Sequence, residues 1–209
     1  MSHHRLHGIS AVSHRSARRR AGRGSAMTIC LTLLCAIAGD DTGEAILDDG
    51  VLNERGLSEA GATGAVLPRY SVAVRAPSTR CARTAHALAL KTTLEPALHD
   101  FDYGKWRGRT AAEVAATDPY GFSVWLTDPD AKPHGGETVR QLCQRITRWL
   151  NSLPPDTGRA LVITEPAVAR AALVHALSAP VRAFWHLEVP PLSTVCVASC
   201  AGRGGAHWS

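Results

Sequence analysis

The sequence predicts an α/β fold, a three-layer sandwich with a mainly parallel central sheet, and two observations carry that expectation. Short apolar runs at Thr28 to Ala38, Tyr70 to Val74, Ala160 to Ile163 and Ser193 to Ala198 alternate with segments of helical pattern, and such alternation builds parallel sheets covered on both faces. The run Ala160 to Ile163 is apolar without interruption and Leu31 to Ala36 is broken only by Thr32, as strands buried on both faces are. The size agrees, because 209 residues with 45% apolar and 20% charged side chains suffice for one well-buried domain.

Taken in order, Thr28 to Ala38 follows a run of arginines and precedes Gly39-Asp40-Asp41. That is the outline of an export signal cleaved after Ala38. The same run suits a buried first strand, which no other segment supplies, so the strand is the preferred reading. Met27 stands directly before it as an alternative translation start. The expected organisation is a disordered basic arm over 1–26 and one domain over 27–209, with a cytoplasmic location if the signal reading fails. Gly39 to Gly56, rich in Gly, Asp and Asn, reads as a loop. Leu57 to Ala62 starts a helix with Ser58 as candidate N-cap. Tyr70 to Val74, bounded by Pro68 and Pro77, is a short strand, Ala-rich Thr79 to Leu90 a helix, and Thr93 to Leu98 a further short strand. Thr110 to Ala116 and Phe122 to Leu126 read as helices. Glu137 to Leu153 is a strongly amphipathic one, with Val139, Leu142, Cys143, Ile146, Trp149 and Leu150 on one face, and Pro154-Pro155 stops it. Ala160 to Ile163 is a buried strand, Val168 to Leu177 a helix, and Ser193 to Ala198 a last strand before a Gly-rich end.

Charge is distributed unevenly. The net charge is +5, but Arg5, Arg15, Arg18, Arg19, Arg20 and Arg23 all lie before Met27 with no acidic residue among them, leaving 17 basic against 18 acidic side chains in the rest. The domain itself is not basic, which argues against a nucleic-acid partner. Cys30, Cys35, Cys81, Cys143, Cys196 and Cys200 form no CxxC pair and have no His at ligand spacing, so no metal site and no disulfide framework is expected. No apolar run approaches the ~18–20 residues that cross a bilayer. Gly202-Arg203-Gly204-Gly205 is followed by no helix and is not a phosphate loop.

In open α/β sheets, ligands gather beyond the carboxyl ends of the strands, here after Leu34, Val74 and Ile163. Two segments are distinctive: Leu98-His99-Asp100-Phe101-Asp102-Tyr103-Gly104-Lys105-Trp106-Arg107-Gly108, and Pro133-His134-Gly135-Gly136-Glu137-Thr138. Together they resemble the histidine phosphatase superfamily pattern of an acid, aromatic-Gly-x-Trp-x-Gly, then Gly-Gly-Glu-Ser/Thr. Ala76-Pro77-Ser78-Thr79-Arg80-Cys81-Ala82-Arg83-Thr84-Ala85 is similar to that family's Ser-Pro-x-x-Arg segment, and Leu161-Val162-Ile163-Thr164-Glu165-Pro166 to its Val-Val-Thr-His segment. Leu31 to Ala36 then falls on its first strand and Arg-His-Gly motif. The resemblance covers Met27 to about Trp208 and implies a phosphoglycerate-mutase-like fold, phosphorylated small-molecule substrates and no cofactor.

In that family one histidine attacks phosphorus, arginines and a second histidine hold the equatorial oxygens, and a carboxylic acid protonates the leaving oxygen. Neutral imidazole is a good nucleophile near pH 7, guanidinium forks match phosphate oxygens, and a fixed acid avoids expelling a bare alkoxide. The resemblance places Arg80 at a phosphate-binding position and Asp100 at the proton donor. It places Cys35 where the first arginine belongs, Ala36 where the nucleophilic histidine belongs and Glu165 where the second histidine belongs. Alanine accepts no phosphoryl group, and a carboxylate repels a phosphate dianion, so loss of activity is the expectation.

Simpler roles stand beside these. Asp100 suits a loop cap, Glu165 an N-cap neighbour before Pro166, and Cys35 a buried thiol, the Cys-x5-Arg arrangement being absent because Asp41 lies six positions on. His99, His134, His175 and His186 are alternative bases away from the strand tips, and Trp106, Trp125, Trp149 and Trp185 read as core or rim. Two other functions stay open at this point: an active phosphomonoesterase using His99 or Cys35 as substitute nucleophile, and a non-enzymatic interaction protein using its basic arm.

Overall fold

The computed structural model describes residues 28–37, 54–202 and 205–208. The expected basic arm and most of the expected loop after Ala38 lie outside these residues. The elements run β1 (Thr28–Cys35), α1 (Glu54–Val66), β2 (Val72–Arg75), α2 (Thr79–Ala87), β3 (Thr93–Leu94), α3 (Ala111–Thr117), α4 (Pro119–Thr127), α5 (Val139–Ser152), β4 (Arg159–Thr164), α6 (Pro166–Ala176), β5 (Thr194–Gly202) and β6 (Gly205–Trp208).

The sheet has the order β3-β2-β4-β1-β5-β6 and is flanked by helices. β3, β2, β4 and β1 pair in parallel, while β5 lies antiparallel to β1 and β6 antiparallel to β5. β1 is central, and every residue from Leu31 to Cys35 is buried, which is why this stretch, apart from Thr32, is apolar rather than alternating. The β1–β4 register pairs Leu34 with Ile163 and Cys35 with Thr164. The Ala36 N–H then donates to the Thr164 carbonyl at 2.8 Å. The two strands therefore end level, and Ala36 and Glu165 leave the sheet side by side.

The amphipathic stripe of α5 is buried as expected, from Val139 through Leu142, Cys143, Ile146 and Trp149 to Leu150. Its start is fixed by a capping box in which Thr138 and Gln141 each satisfy the other's backbone N–H, so the helix begins at Val139 rather than Glu137. Arg145 on this helix anchors it to the chain ahead of Asp100. It donates to both Glu137 carboxylate oxygens, at 3.0 and 2.8 Å, and to the carbonyls of Ala97, His99 and Asp100 at 2.7, 2.9 and 3.4 Å. Both partners of the ion pair are 13% exposed. Removing one would leave a buried charge, at a cost of about 3–5 kcal/mol.

Elsewhere the structure corrects the expectation. Thr93 to Leu98 is a strand only at Thr93–Leu94, because Pro96 opens a single 3-10 turn, Pro96–Leu98, capped by the Glu95 carboxylate. Ser58 lies inside α1, not at its N-cap. α2 stops at Ala87, short of Leu90, and Ala89 takes φ 53 just after it. The Gly-rich end is not a tail but a hairpin partner: β6 pairs with β5, from Ser199 opposite Trp208 to Gly202 opposite Gly205. A crossing also sits where the two distinctive segments meet. Lys105 N–H donates to the His134 carbonyl and Glu137 N–H to the Asp102 carbonyl, both at 2.9 Å. A Cβ at Gly104, which has φ +48, would overlap the His134 carbonyl oxygen, and one at Gly136 the Asp102 carbonyl oxygen. Both glycines are required by this close backbone approach.

Candidate functional site

The level ends of β1 and β4 form the floor of the site. α2 brings Arg80 in from one side. Ser78 is its N-cap, its hydroxyl accepting the Cys81 N–H at 3.0 Å. That hydroxyl's proton goes to Glu165 Oε1 at 2.6 Å, so one serine both caps the helix and binds the residue at the tip of β4. Arg80 Nη2 lies 2.7 Å from Glu165 Oε2, with the two side chains 14% and 1% exposed. The Cys81 thiol adds a longer contact to Oε1 at 3.5 Å.

Glu165 is thus neither of the roles the sequence suggested. It occupies the N-cap position of α6 but makes no side-chain cap bond, and it is not an uncompensated negative charge. Its carboxylate is turned onto Arg80 and takes a guanidinium, a hydroxyl and a thiol. These are donors of the kind an oxyanion would use. Burial alone would pull the Arg80 guanidinium down, and the charge and hydrogen bond of Glu165, with smaller help from Asp100 and Cys81, together hold it above its ordinary value.

Asp100 is half-buried, and its Oδ1 accepts the Phe101 N–H at 2.7 Å. Burial, and next the charge of Glu165, push its carboxyl up to about 7, against the opposing pull of that N–H, Arg80 and Arg145. The sign follows directly. The folded chain keeps near pH 4–7 a proton that the unfolded chain has released, so stability falls as pH rises through that window and levels off above it. Asp100→Asn retains an oxygen for the Phe101 N–H and removes the titration. Its stability relative to the native chain is expected to rise by on the order of 1–3 kcal/mol between pH 5 and pH 8, read from urea midpoints. His134 and His175, held below the usual imidazole range by burial, contribute equally to both proteins. A difference independent of pH would mean that Asp100 ionises like an exposed carboxyl.

Cys35 is wholly buried against Ala169 and Val189, its thiol 3.9 Å from the Val189 carbonyl. Burial, followed by the charge of Glu165, pushes it up to about 12. At pH 7 only about one molecule in 10⁵ would carry the thiolate that attacks phosphorus. Ala36 is buried and offers no polar atom. Among the described residues no histidine takes its place. His99 is exposed, its Nδ1 2.8 Å from the Asp100 carbonyl. His134 is packed among Phe101, Trp106 and Trp125, His175 lies in the last turn of α6, and His186 ends the 3-10 turn Val181–His186. Trp106, Trp125 and Trp149 are buried and Trp185 meets Trp125 edge to face, as core and rim residues do. Among the described residues no group of three or more His, Cys, Asp or Glu side chains is placed to hold a metal ion, and no helix is long and apolar enough to cross a membrane.

The structure therefore unites Arg80, Glu165 and Asp100 in one electrostatic neighbourhood with Cys35, and sets Ala36 beside Glu165. Sequence reasoning missed three contributors. Ser78 appears in the sequence only as part of the Arg80 segment, neither as the cap of α2 nor as the second donor to Glu165. Arg170 on α6 donates to the Leu187 carbonyl at 2.8 Å, and its charge reaches Cys35. The Tyr103 phenol is pushed upward by burial and then by the charge of Asp100.

Comparison with known proteins matches residues 46–207 to the family model described as histidine phosphatase superfamily (branch 1). The bifunctional protein Rv2228c of Mycobacterium tuberculosis is 36% identical over 153 residues, which are 68% of this chain and 42% of that protein. The chain thus spans less than half the length of that relative. The glucosyl-3-phosphoglycerate phosphatase of M. tuberculosis is 29% identical over 172 residues, 77% of each chain. Among solved structures, mycobacterial hydrolase 2 superposes with a TM-score of 0.77 at 21% identity, covering 87% of this chain and 88% of that one.

Proposed function

Because the chain belongs to the histidine phosphatase superfamily, we propose that it is a member silent in phosphoryl transfer, its phosphate pocket filled by its own Glu165, and that it acts by binding rather than by catalysis. The Arg80–Glu165 pair at 2.7 Å carries this reading. A relative's name specifies a phosphorylated small molecule. In this chain such a molecule has to displace a carboxylate that is already held by three donors and present on the same polypeptide. At a few ångströms, two negative charges in a partly buried site repel by several kcal/mol, so the free phosphate competes poorly.

The remaining parts do not make a reaction. In-line attack needs a nucleophile at the tip of β1, where Ala36 has none and the Cys35 thiol is held neutral. Asp100, protonated in part near pH 7, can donate a proton to a leaving oxygen, yet an acid without a nucleophile has no bond to help break. The test is hydrolysis of p-nitrophenyl phosphate across pH 5 to 8. The native chain is expected to show no turnover above buffer. Hydrolysis that Arg80→Ala abolishes would establish an active enzyme with a substitute nucleophile.

A further inference from the structure

A second concave site lies at the other end of α6. α6 runs from Pro166 to Ala176, and its 11 helical residues span about 16 Å. At its far end, where Ser178 takes φ 49, lies a cavity of about 740 Å³. Such a volume is that of small-molecule sites. Its walls come from three elements: α5 from Arg140 to Arg148, the α6 end from Val174 to Val181, and Trp208 on β6.

The lining is chemically one-sided. Val174, Ala179, Val181 and Trp208 supply an apolar floor, with Thr147, Ser178 and Gln144 as hydroxyl and amide groups at the edge. Burial holds the Cys143 thiol up at about 11 and the His175 imidazole below its usual range, so neither is charged near pH 7. Among the described residues the charged lining groups are Arg140 and Arg148, and no carboxylate lines the cavity. Arg140 is held by Asp130 at 2.6 and 2.9 Å. Arg148 makes a single hydrogen bond, to the Gln144 carbonyl at 3.3 Å, and among the described residues it forms no ion pair.

We infer that this cavity binds a small organic anion, a molecule with an apolar or aromatic body that lies on Val174, Val181 and Trp208 and a carboxylate, sulfonate or phosphate group that meets Arg148. Charge selects this occupant. A cationic ligand meets the Arg148 guanidinium and, among the described lining residues, no carboxylate to offset it, and the Arg-rich segment before Met27 has the wrong sign. A neutral ligand leaves Arg148 unused. The site stands apart from Arg80 and Glu165 and does not depend on the fate of phosphoryl transfer.

The probe is 8-anilinonaphthalene-1-sulfonate, with the uncharged N-phenyl-1-naphthylamine as comparator. The native chain is expected to bind the sulfonate at one saturable site per molecule, at least tenfold more tightly than the uncharged comparator. Arg148→Glu, at an exposed position, is expected to weaken sulfonate binding at least tenfold, and Thr147→Trp to weaken it by narrowing the cavity beside Arg148. Near-UV circular dichroism establishes that each variant retains native packing. Equal binding of the two probes, or sulfonate affinity unchanged in a folded Arg148→Glu chain, would overturn the assignment. Arg148→Glu keeps the test decisive if Thr147→Trp does not fold.

Discussion

A variant carrying Ala36→His and Glu165→His is expected to hydrolyse an aryl phosphate that the native chain leaves intact. The β1–β4 register sets the two replaced positions side by side, so one imidazole at each strand tip faces the same space. Removing the carboxylate releases the Arg80 guanidinium from its internal partner for the phosphoryl oxygens. Asp100, already held near 7 mainly by burial, is in place to protonate the leaving oxygen. Adding Asp100→Asn to this background should lower kcat by on the order of 10²–10⁴-fold, the mark of a proton donor rather than a scaffold residue. The further change Cys35→Arg is expected to cost stability, because Cys35 is completely enclosed by Ala169 and Val189. A double variant that folds, binds phosphate and shows no turnover would mean that the geometry has drifted beyond the substituted positions.

Glu165→Ala alone should destabilise the chain by about 3–5 kcal/mol, the cost of leaving one member of a buried ion pair without the other. Little of that is lost helix capping, since the side chain makes no cap bond. Inorganic phosphate should then stabilise the variant, by about 2.7 kcal/mol at a hundred times its Kd, and leave the native chain unaffected. Thermal unfolding with and without phosphate reads both. Arg80→Ala should be as damaging and not rescued, while the double variant should recover part of the loss because neither charge is stranded. If phosphate stabilises the native chain as much as Glu165→Ala, Glu165 is not the occupant of the oxyanion position.

The fold was legible where the chain states its pattern over many residues. The apolar run of β1 and the stripe of α5 were read residue by residue, because burial on two faces and on one face leaves different periodicities. Short elements were less legible. One proline cut the strand expected over Thr93 to Leu98 to its first two residues, and the hairpin partner Gly205–Trp208 was hidden because its glycines read as an end. At the site, the positions of Arg80, Asp100 and Glu165 could be placed from motifs, but the sign of their interaction could not. Whether Glu165 repels, caps or neutralises depends on where a rotamer points, and that is set by Ser78 and Arg80, which lie 87 and 85 residues away.

Arg145 grips the stretch ahead of Asp100 by three carbonyl oxygens and not by any side chain there. A grip on the main chain is blind to residue type. The loop that carries the acid can therefore exchange its side chains under mutation while keeping its course, and in this part of the protein inheritance of shape is uncoupled from inheritance of chemistry. A lineage can rewrite what its pocket does here without first learning to fold again.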